Sequence, residues 1–405
     1  MTVTFADIEA ARHRIKDSVK RTPCNISPWM SEARGAEIFL KLENHQHTGS
    51  FKERGALNRL LLLSDEERRR GVIAASAGNH AQGVALHASR LGIEATIVMP
   101  IGTPLIKVVR TQDFGAKVVL FGQTYDEAYE KAAELRVEKN LFFVHAYDDD
   151  GVIAGQGTVG LELIEQNPYI EVVVVPVGGG GLISGIAVAM KKVRPHVRIV
   201  GVEASVLASM KASVDAGKRV VLPAHSTIAD GIAVSKVGER PFAIARDLVD
   251  DFVTVDDDEI ARAILYLLER EKTVAEGAGA AGVAAILAER IPDIKGKKVA
   301  VVVGGGNIDV NIISRIIERG LAETGRLARL DVTIRDTPGA LSGMLKTVAN
   351  ARANVVAVHH ERAFAGGALN QVRVELVLES RGHAHVDDVI TALEAEGYYA
   401  QRNGH

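Results

Sequence analysis

The residues whose types and spacing could do chemistry begin at "HTGSFKERGA", positions 47–56. Lys52 stands directly after Gly49, Ser50 and Phe51, at a helix start with Glu53 in the first turn and Leu57, Leu60 and Leu61 down one side. A lysine so placed is either a surface charge or an amine held for a reaction. "VPVGGGGLISGIAVAMKK" (175–192) reads as a buried strand, the four glycines Gly178, Gly179, Gly180 and Gly181, and an apolar helix. Backbone N–H groups converging at a helix N-terminus make a cradle for a phosphate. No Lys-Ser/Thr pair follows in the spacing of a nucleotide-binding P-loop.

Two more junctions have the same form. "AASAGNHAQG" (74–83) gathers Ser76, Asn79 and His80 at a strand's carboxyl end, where parallel sheets place ligands. A helix cap accounts for one such polar residue and not for three. "VVVGGGNID" (301–309) is the third junction, and there Asn307 reads as a cap. "EGAGAAG" (276–282) contains a literal G-x-G-x-x-G, but it follows a helical segment instead of a strand. It therefore reads as close backbone packing, and a nicotinamide cofactor is discounted. A phosphate cradle, polar strand ends and a lysine, in a chain without a metal motif, suggest pyridoxal phosphate. Its aldehyde bonds a lysine amine and its ring draws off electrons.

The elements that must position these residues follow from hydrophobic periodicity. Apolar, β-branched runs at 37–44, 71–76, 94–100, 116–122, 141–146, 171–177, 198–204, 251–255 and 298–304 alternate with helical patterns such as 126–140 and 257–273. That alternation predicts parallel sheets covered on both faces, arranged as two α/β lobes with a site between them. Near residue 322 the pattern changes to β-α-β-β-α-β, the ferredoxin-like order. The expected division is 1–321 and 322–405.

Composition narrows the function classes. The 405 residues are 47% hydrophobic and 24% charged with a net charge of −3, which fits a soluble globular protein and no polyanionic partner. The single cysteine, Cys24, allows neither an internal disulfide nor a thiolate metal site. No apolar run reaches the ~20 residues of a membrane span, and the expected location is cytoplasmic.

"SFKERGA" (50–56), "SAGNHAQGVA" (76–85), "GGGGL" (178–182), "TIADG" (227–231) and "GGGNID" (304–309) together resemble the fold-type II pyridoxal-phosphate enzymes, in particular the threonine (serine) dehydratases, over residues 5–322. The tail, with "DTPGAL" (336–341), resembles an ACT regulatory domain. The resemblance implies a two-lobed catalytic domain and a ferredoxin-like ACT domain. It implies Lys52 as the Schiff-base residue, Phe51 packed on the cofactor ring, Asn79 on its ring hydroxyl, and Gly178–Gly181 with Leu182 around its phosphate. Ser76, Ala77, Gly78, Asn79 and His80 would hold the substrate carboxylate. The implied reaction is β-elimination from L-threonine, and L-serine with it, giving a 2-oxo acid and ammonia in isoleucine biosynthesis or threonine catabolism. The alternatives are a dehydratase for another β-hydroxy amino acid such as 3-hydroxyaspartate, a serine racemase-like enzyme, and, last, a non-catalytic amino-acid sensor.

Three positions depart from the related enzymes. Gly304 stands where Ser, Thr or Cys often faces the cofactor's ring nitrogen. Ala77 replaces the serine that acts on the opposite face in racemases. Glu203 is kept from a two-acid cation site whose second position is Ser209, so no tight divalent site is expected. A homodimer or homotetramer is expected, with an amino-acid effector at Pro338, Gly339, Ala340, Leu341 and Asn354.

Overall fold

A computed structural model describes residues 3–361 and 370–403. The chain divides into two compact units, Met1–Ile308 and Asp309–His405. The division falls earlier than the boundary expected at 321, because the helix Val310–Glu323 packs on the strand Leu327–Arg335 of the second unit.

The first unit holds two sheets, as the alternation of strands and helices predicts. The larger has the strand order Cys24–Ile26, Glu37–Leu42, Lys298–Val303, Val172–Pro176, Arg198–Ala204, Asp251–Val255. All its pairs are parallel except that of Cys24–Ile26, a three-residue antiparallel edge too short to show a period. Val301 pairs with Leu40 on one side and Val174 on the other, so the strand ending at Val303 lies in the sheet centre. Val172–Pro176 is buried at every position, which is why its sequence is continuously apolar instead of alternating. The smaller sheet is wholly parallel, in the order Lys117–Leu120, Ala95–Met99, Val72–Ala75, Phe142–Phe143.

Helix starts follow local chemistry. Thr4/Asp7, Ser64/Glu67, Thr124/Glu127 and Asp256/Glu259 each close a reciprocal capping box. The helices that leave the strands bearing the candidate residues, Asn79–Arg90 and Gly181–Val193, have no side-chain cap. Their first-turn N–H groups thus have no intrahelical acceptor and face outward from the strand ends.

The second unit has the predicted β-α-β-β-α-β order. Its four antiparallel strands lie as Asn354–Glu361, Gln371–Glu379, Leu327–Arg335, Tyr399–Arg402. Gln371–Glu379 alternates buried and exposed positions, and its inward Val372, Val374, Leu376 and Leu378 join Met344 and Leu393 from the helices in one core.

Candidate active site

The site of the first unit is assembled at the carboxyl ends of both sheets. Phe51 is tied to the end of the central strand, its N–H donating to Gly304 O at 3.0 Å. Lys52 then opens the helix Lys52–Leu61. The next two residues clamp this turn. Glu53 is fully buried and accepts from Thr48 N at 2.8 Å. Arg54, also buried, donates to Glu43 at 2.7 and 2.8 Å and to Glu162 at 2.7 Å. Lys41 donates to the same Glu162 at 2.5 Å, closing a buried ionic group.

Lys52 itself is half-buried, and its Nζ donates to Ala146 O at 3.1 Å. Burial lowers the amine from 10.5 to about 8, with Glu276 opposing the shift. An ammonium made this much easier to deprotonate suits an amine held for reaction better than a surface charge.

The glycine turn lies nearby. Gly180 adopts φ +91, and the helix Gly181–Val193 starts on it. A Cβ at Gly179 would fall 2.3 Å from Tyr147 Cδ1 and Cγ, and one at Gly181 would fall 3.1 Å from Tyr147 Cα and Cβ. The aromatic ring therefore covers the turn as closely as glycine permits. Leu182 turns its side chain into the large-sheet core and offers its backbone. A turn of N–H groups that any side chain would fill, beside a deprotonable lysine, fits pyridoxal phosphate.

The third junction differs from expectation. Asp309, not Asn307, caps the following helix, through Asn311 N at 2.9 Å. Asn307 Nδ2 donates to Thr48 O and to Asn79 Oδ1, both at 2.7 Å. Asn79 Nδ2 in turn donates to Glu276 Oε1 at 2.5 Å. Sequence reading missed Glu276, although it heads the very glycine stretch set aside as packing. That packing is real: a Cβ at Gly279 would fall 2.2 Å from Gly305 O.

At the second junction Gly78 occupies the cap position, and its N–H donates to Ser76 Oγ at 3.2 Å. The His80 side chain is turned into the core. Its Nε2 bonds Val144 O at 2.8 Å, and burial lowers it to about 3, so the ring is neutral and donates that proton. His80 therefore brings its backbone, not its ring, to a ligand at this helix start. Ala77 is half-buried beside Ser76. His45 and His47 bond Thr273 at 3.0 Å and Glu53 at 3.1 Å.

Gly304 is not forced by crowding, since a Cβ there would lie 3.4 Å from Phe51 Cδ1 and 3.6 Å from Pro176 Cγ. Both oxygens of buried Glu203 are engaged, accepting at 2.8 Å from Met210 N and Lys211 N, and Ser209 Oγ donates to Val234 O. Among the described residues no group of His, Cys, Asp and Glu is arranged to hold a metal ion.

In the second unit Pro338, Gly339 and Leu341 line an open cavity of about 370 Å³, together with Arg335 and His360, which sequence reading did not single out. Ala340 starts the adjoining helix, and Asn354 Nδ2 donates to Glu379 at 2.9 Å. Among the described residues no helix is long and apolar enough to cross a membrane.

Comparison with known proteins places this geometry. The family described as "Pyridoxal-phosphate dependent enzyme" matches residues 15–305. An L-threonine ammonia-lyase of Thermotoga maritima is 50% identical over 396 residues, 98% of each chain. The catabolic L-threonine dehydratase TdcB of Escherichia coli is 44% identical over 317 residues, 78% of this chain and 96% of the other. The processed form of threonine deaminase isoform 2 from Solanum lycopersicum superposes with a TM-score of 0.74 at 40% identity, over 77% of this chain and 91% of that one.

Proposed function

The chain belongs to the pyridoxal-phosphate dependent enzymes, and from that premise we propose that it is a threonine ammonia-lyase, converting L-threonine, and L-serine with it, to a 2-oxo acid and ammonia. The observation that carries the reading is the Lys52 amine, shifted to about 8 by burial and held beside the glycine turn, in a chain so close to threonine ammonia-lyases.

Bound pyridoxal phosphate supplies an aldehyde and a ring that accepts the electron pair left at the substrate α-carbon. Gly178, Gly179, Gly180, Gly181 and Leu182 would hold its phosphate through backbone N–H groups, and the start of the helix Gly181–Val193 adds positive potential. Phe51 would pack against its ring, and Asn79 would hydrogen-bond its ring hydroxyl. The open first turn at Gly78, Asn79 and His80, with Ser76 and Ala77, holds the substrate carboxylate and so aims the α-hydrogen. Lys52 Nζ, its amine lowered to about 8 by burial, is an appreciable neutral base at pH 7.5 and would take the α-proton. The β-hydroxyl would leave as water, balanced by the proton taken from the α-carbon, and the released enamine would hydrolyse to the 2-oxo acid and ammonia. With Ala77 on the opposite face no side-chain acid would return a proton there, so elimination would prevail over racemisation.

The second unit is an ACT-like regulatory domain, and the catalytic domain precedes it. A branched-chain amino acid is the effector we favour for the cavity at Pro338, Gly339 and Leu341, with Arg335 there to meet a carboxylate. The protein is cytoplasmic and works as a homodimer or homotetramer.

A panel of β-hydroxy amino acids assayed for 2-oxo acid release tests the reading. L-threonine should be turned over best, and Lys52→Ala should abolish both turnover and the visible absorbance of the bound cofactor while leaving the far-ultraviolet circular dichroism unchanged. Preference for 3-hydroxyaspartate, or rapid D-serine formation, would replace the proposed activity. Isoleucine and valine should alter the rate of the full chain. Unchanged kinetics with both would refute the effector.

A further inference from the structure

The sequence stretch "EGAGAAG" left one residue without a role. Glu276 stands at the N-cap of the helix Gly277–Leu287, yet its side chain caps nothing. The carboxylate leaves its own helix end and meets Asn79 at the start of the helix Asn79–Arg90. Space has been kept for this contact. A Cβ on Gly305 would fall 2.2 Å from Glu276 Oε1 and 3.1 Å from Asn79 Nδ2. The backbone repeats the association, Glu276 N–H donating to Gly305 O at 3.0 Å.

The consequence for Asn79 follows from hydrogen-bond valence. Its side chain has two N–H donors and one carbonyl oxygen. One donor goes to Glu276 Oε1 at 2.5 Å, and the oxygen accepts from Asn307 Nδ2 at 2.7 Å. Asn307 is oriented in turn by donating to Thr48 O. The carboxylate admits only the amino side of the Asn79 amide, and Asn307's amino group admits only its carbonyl side. The amide is thus locked in one orientation, and one N–H remains for a ligand. Without an acceptor at 276 the flipped amide would be a competing state.

We propose that Glu276 is a positioning residue that sets the orientation of the Asn79 amide toward the cofactor's ring hydroxyl, and that its ionisation switches this support on. The inference rests on the cofactor assigned to the site and not on the identity of the substrate.

Charges packed around Glu276 agree with a titrating role. Burial, and then Asp230, raise its carboxyl to about 7, while Asn79, Lys107 and Lys52 oppose the shift. Lys107 is itself paired with Asp230 at 2.8 Å, which weakens both influences. A buried carboxyl poised near neutrality passes between a strong acceptor and a weaker one within the working pH range.

The test uses Glu276→Gln, which keeps size and removes charge, and Glu276→Asp. Two readouts do not depend on turnover: the Kd of the apoprotein for pyridoxal phosphate, and the pH dependence of the holoenzyme's visible absorption. Loss of a charge-assisted hydrogen bond should weaken cofactor binding about 10- to 100-fold in Glu276→Gln. The spectral midpoint near pH 7 should vanish in that variant and survive, shifted, in Glu276→Asp. A cofactor Kd within about twofold of the parent, with an unchanged spectral titration, would overturn the proposal. So would a wild-type spectrum that is flat between pH 6 and 9, a measurement that needs no variant. A different best substrate would refute the threonine reading and leave these two readouts to decide on Glu276.

Discussion

Replacing Gly179 by alanine tests whether the glycine turn holds the cofactor's phosphate. The added methyl would sit 2.3 Å from Cδ1 and Cγ of Tyr147 and 2.5 Å from Cδ2, against the face of the ring. Carbon atoms in contact lie ~3.5–4.0 Å apart, so either the ring or the turn must retreat by more than about 1 Å. The ring is not free to do so. Its hydroxyl donates to Lys236 O at 3.3 Å, and its own backbone N–H donates to His145 Nδ1 at 3.2 Å. Overpacking of this kind costs ~1–3 kcal/mol of stability. If the turn holds the phosphate, displacing it would also misalign the N–H groups that bind the dianion, and each charge-assisted bond is worth ~1.5–3 kcal/mol. The cofactor Kd should therefore rise about 10- to 100-fold, measured by titrating apoprotein with pyridoxal phosphate. Tyr147→Ala in the same chain removes the obstacle. The double variant should recover at least ~1 kcal/mol relative to the sum of the single variants. Unaltered cofactor affinity in Gly179→Ala, or strict additivity in the double variant, would refute the idea that the ring-covered turn is the phosphate cradle.

Other expectations concern residues with clear surroundings. Gly304→Ser should fold normally, because its Cβ meets only ordinary contacts at 3.4 and 3.6 Å, and should shift the absorption of bound cofactor by placing a hydroxyl near the ring; an unchanged spectrum would show that position 304 does not face it. Glu43→Gln should lower the urea midpoint by the equivalent of ~3–5 kcal/mol, since it leaves the buried Arg54 charge half-paired two residues from Lys52; a loss below ~1 kcal/mol would contradict this account of the cluster. His87 is wholly buried with neither ring nitrogen bonded to protein, and burial lowers it from 6.5 to about 3. Unfolding restores the higher value, so its contribution is present above pH 6.5 and lost as pH falls toward 3. His87→Leu should flatten that acid loss by up to ~3 kcal/mol, read from denaturation midpoints at pH 7 and pH 4; parallel profiles for parent and variant would disprove it.

The parts of this protein that its sequence determined alone are those encoded in local runs. The strand Val172–Pro176 is legible because burial on both faces demands unbroken apolar residues. The glycine turn is legible because a turn pressed against Tyr147 admits only glycine, and the alternating run Gln371–Glu379 because one face of its sheet meets a core. Lys52 stood out for a related reason, as a charge set at a helix start among small residues. Partnerships between distant polar side chains left no such trace. Glu276, Asn79 and Asn307 lie far apart in the chain, and each taken singly reads as a helix cap or the edge of a glycine turn. Nor did the sequence show that the His80 ring would turn onto Val144 O and leave only its backbone to the site. Hydrophobic period records which face of an element is buried, whereas the partner of a single carboxylate or amide depends on where two loops are brought together. That meeting is set by the packing of both sheets, so the orientation of Asn79, and with it the place of Glu276, was decided by the tertiary structure.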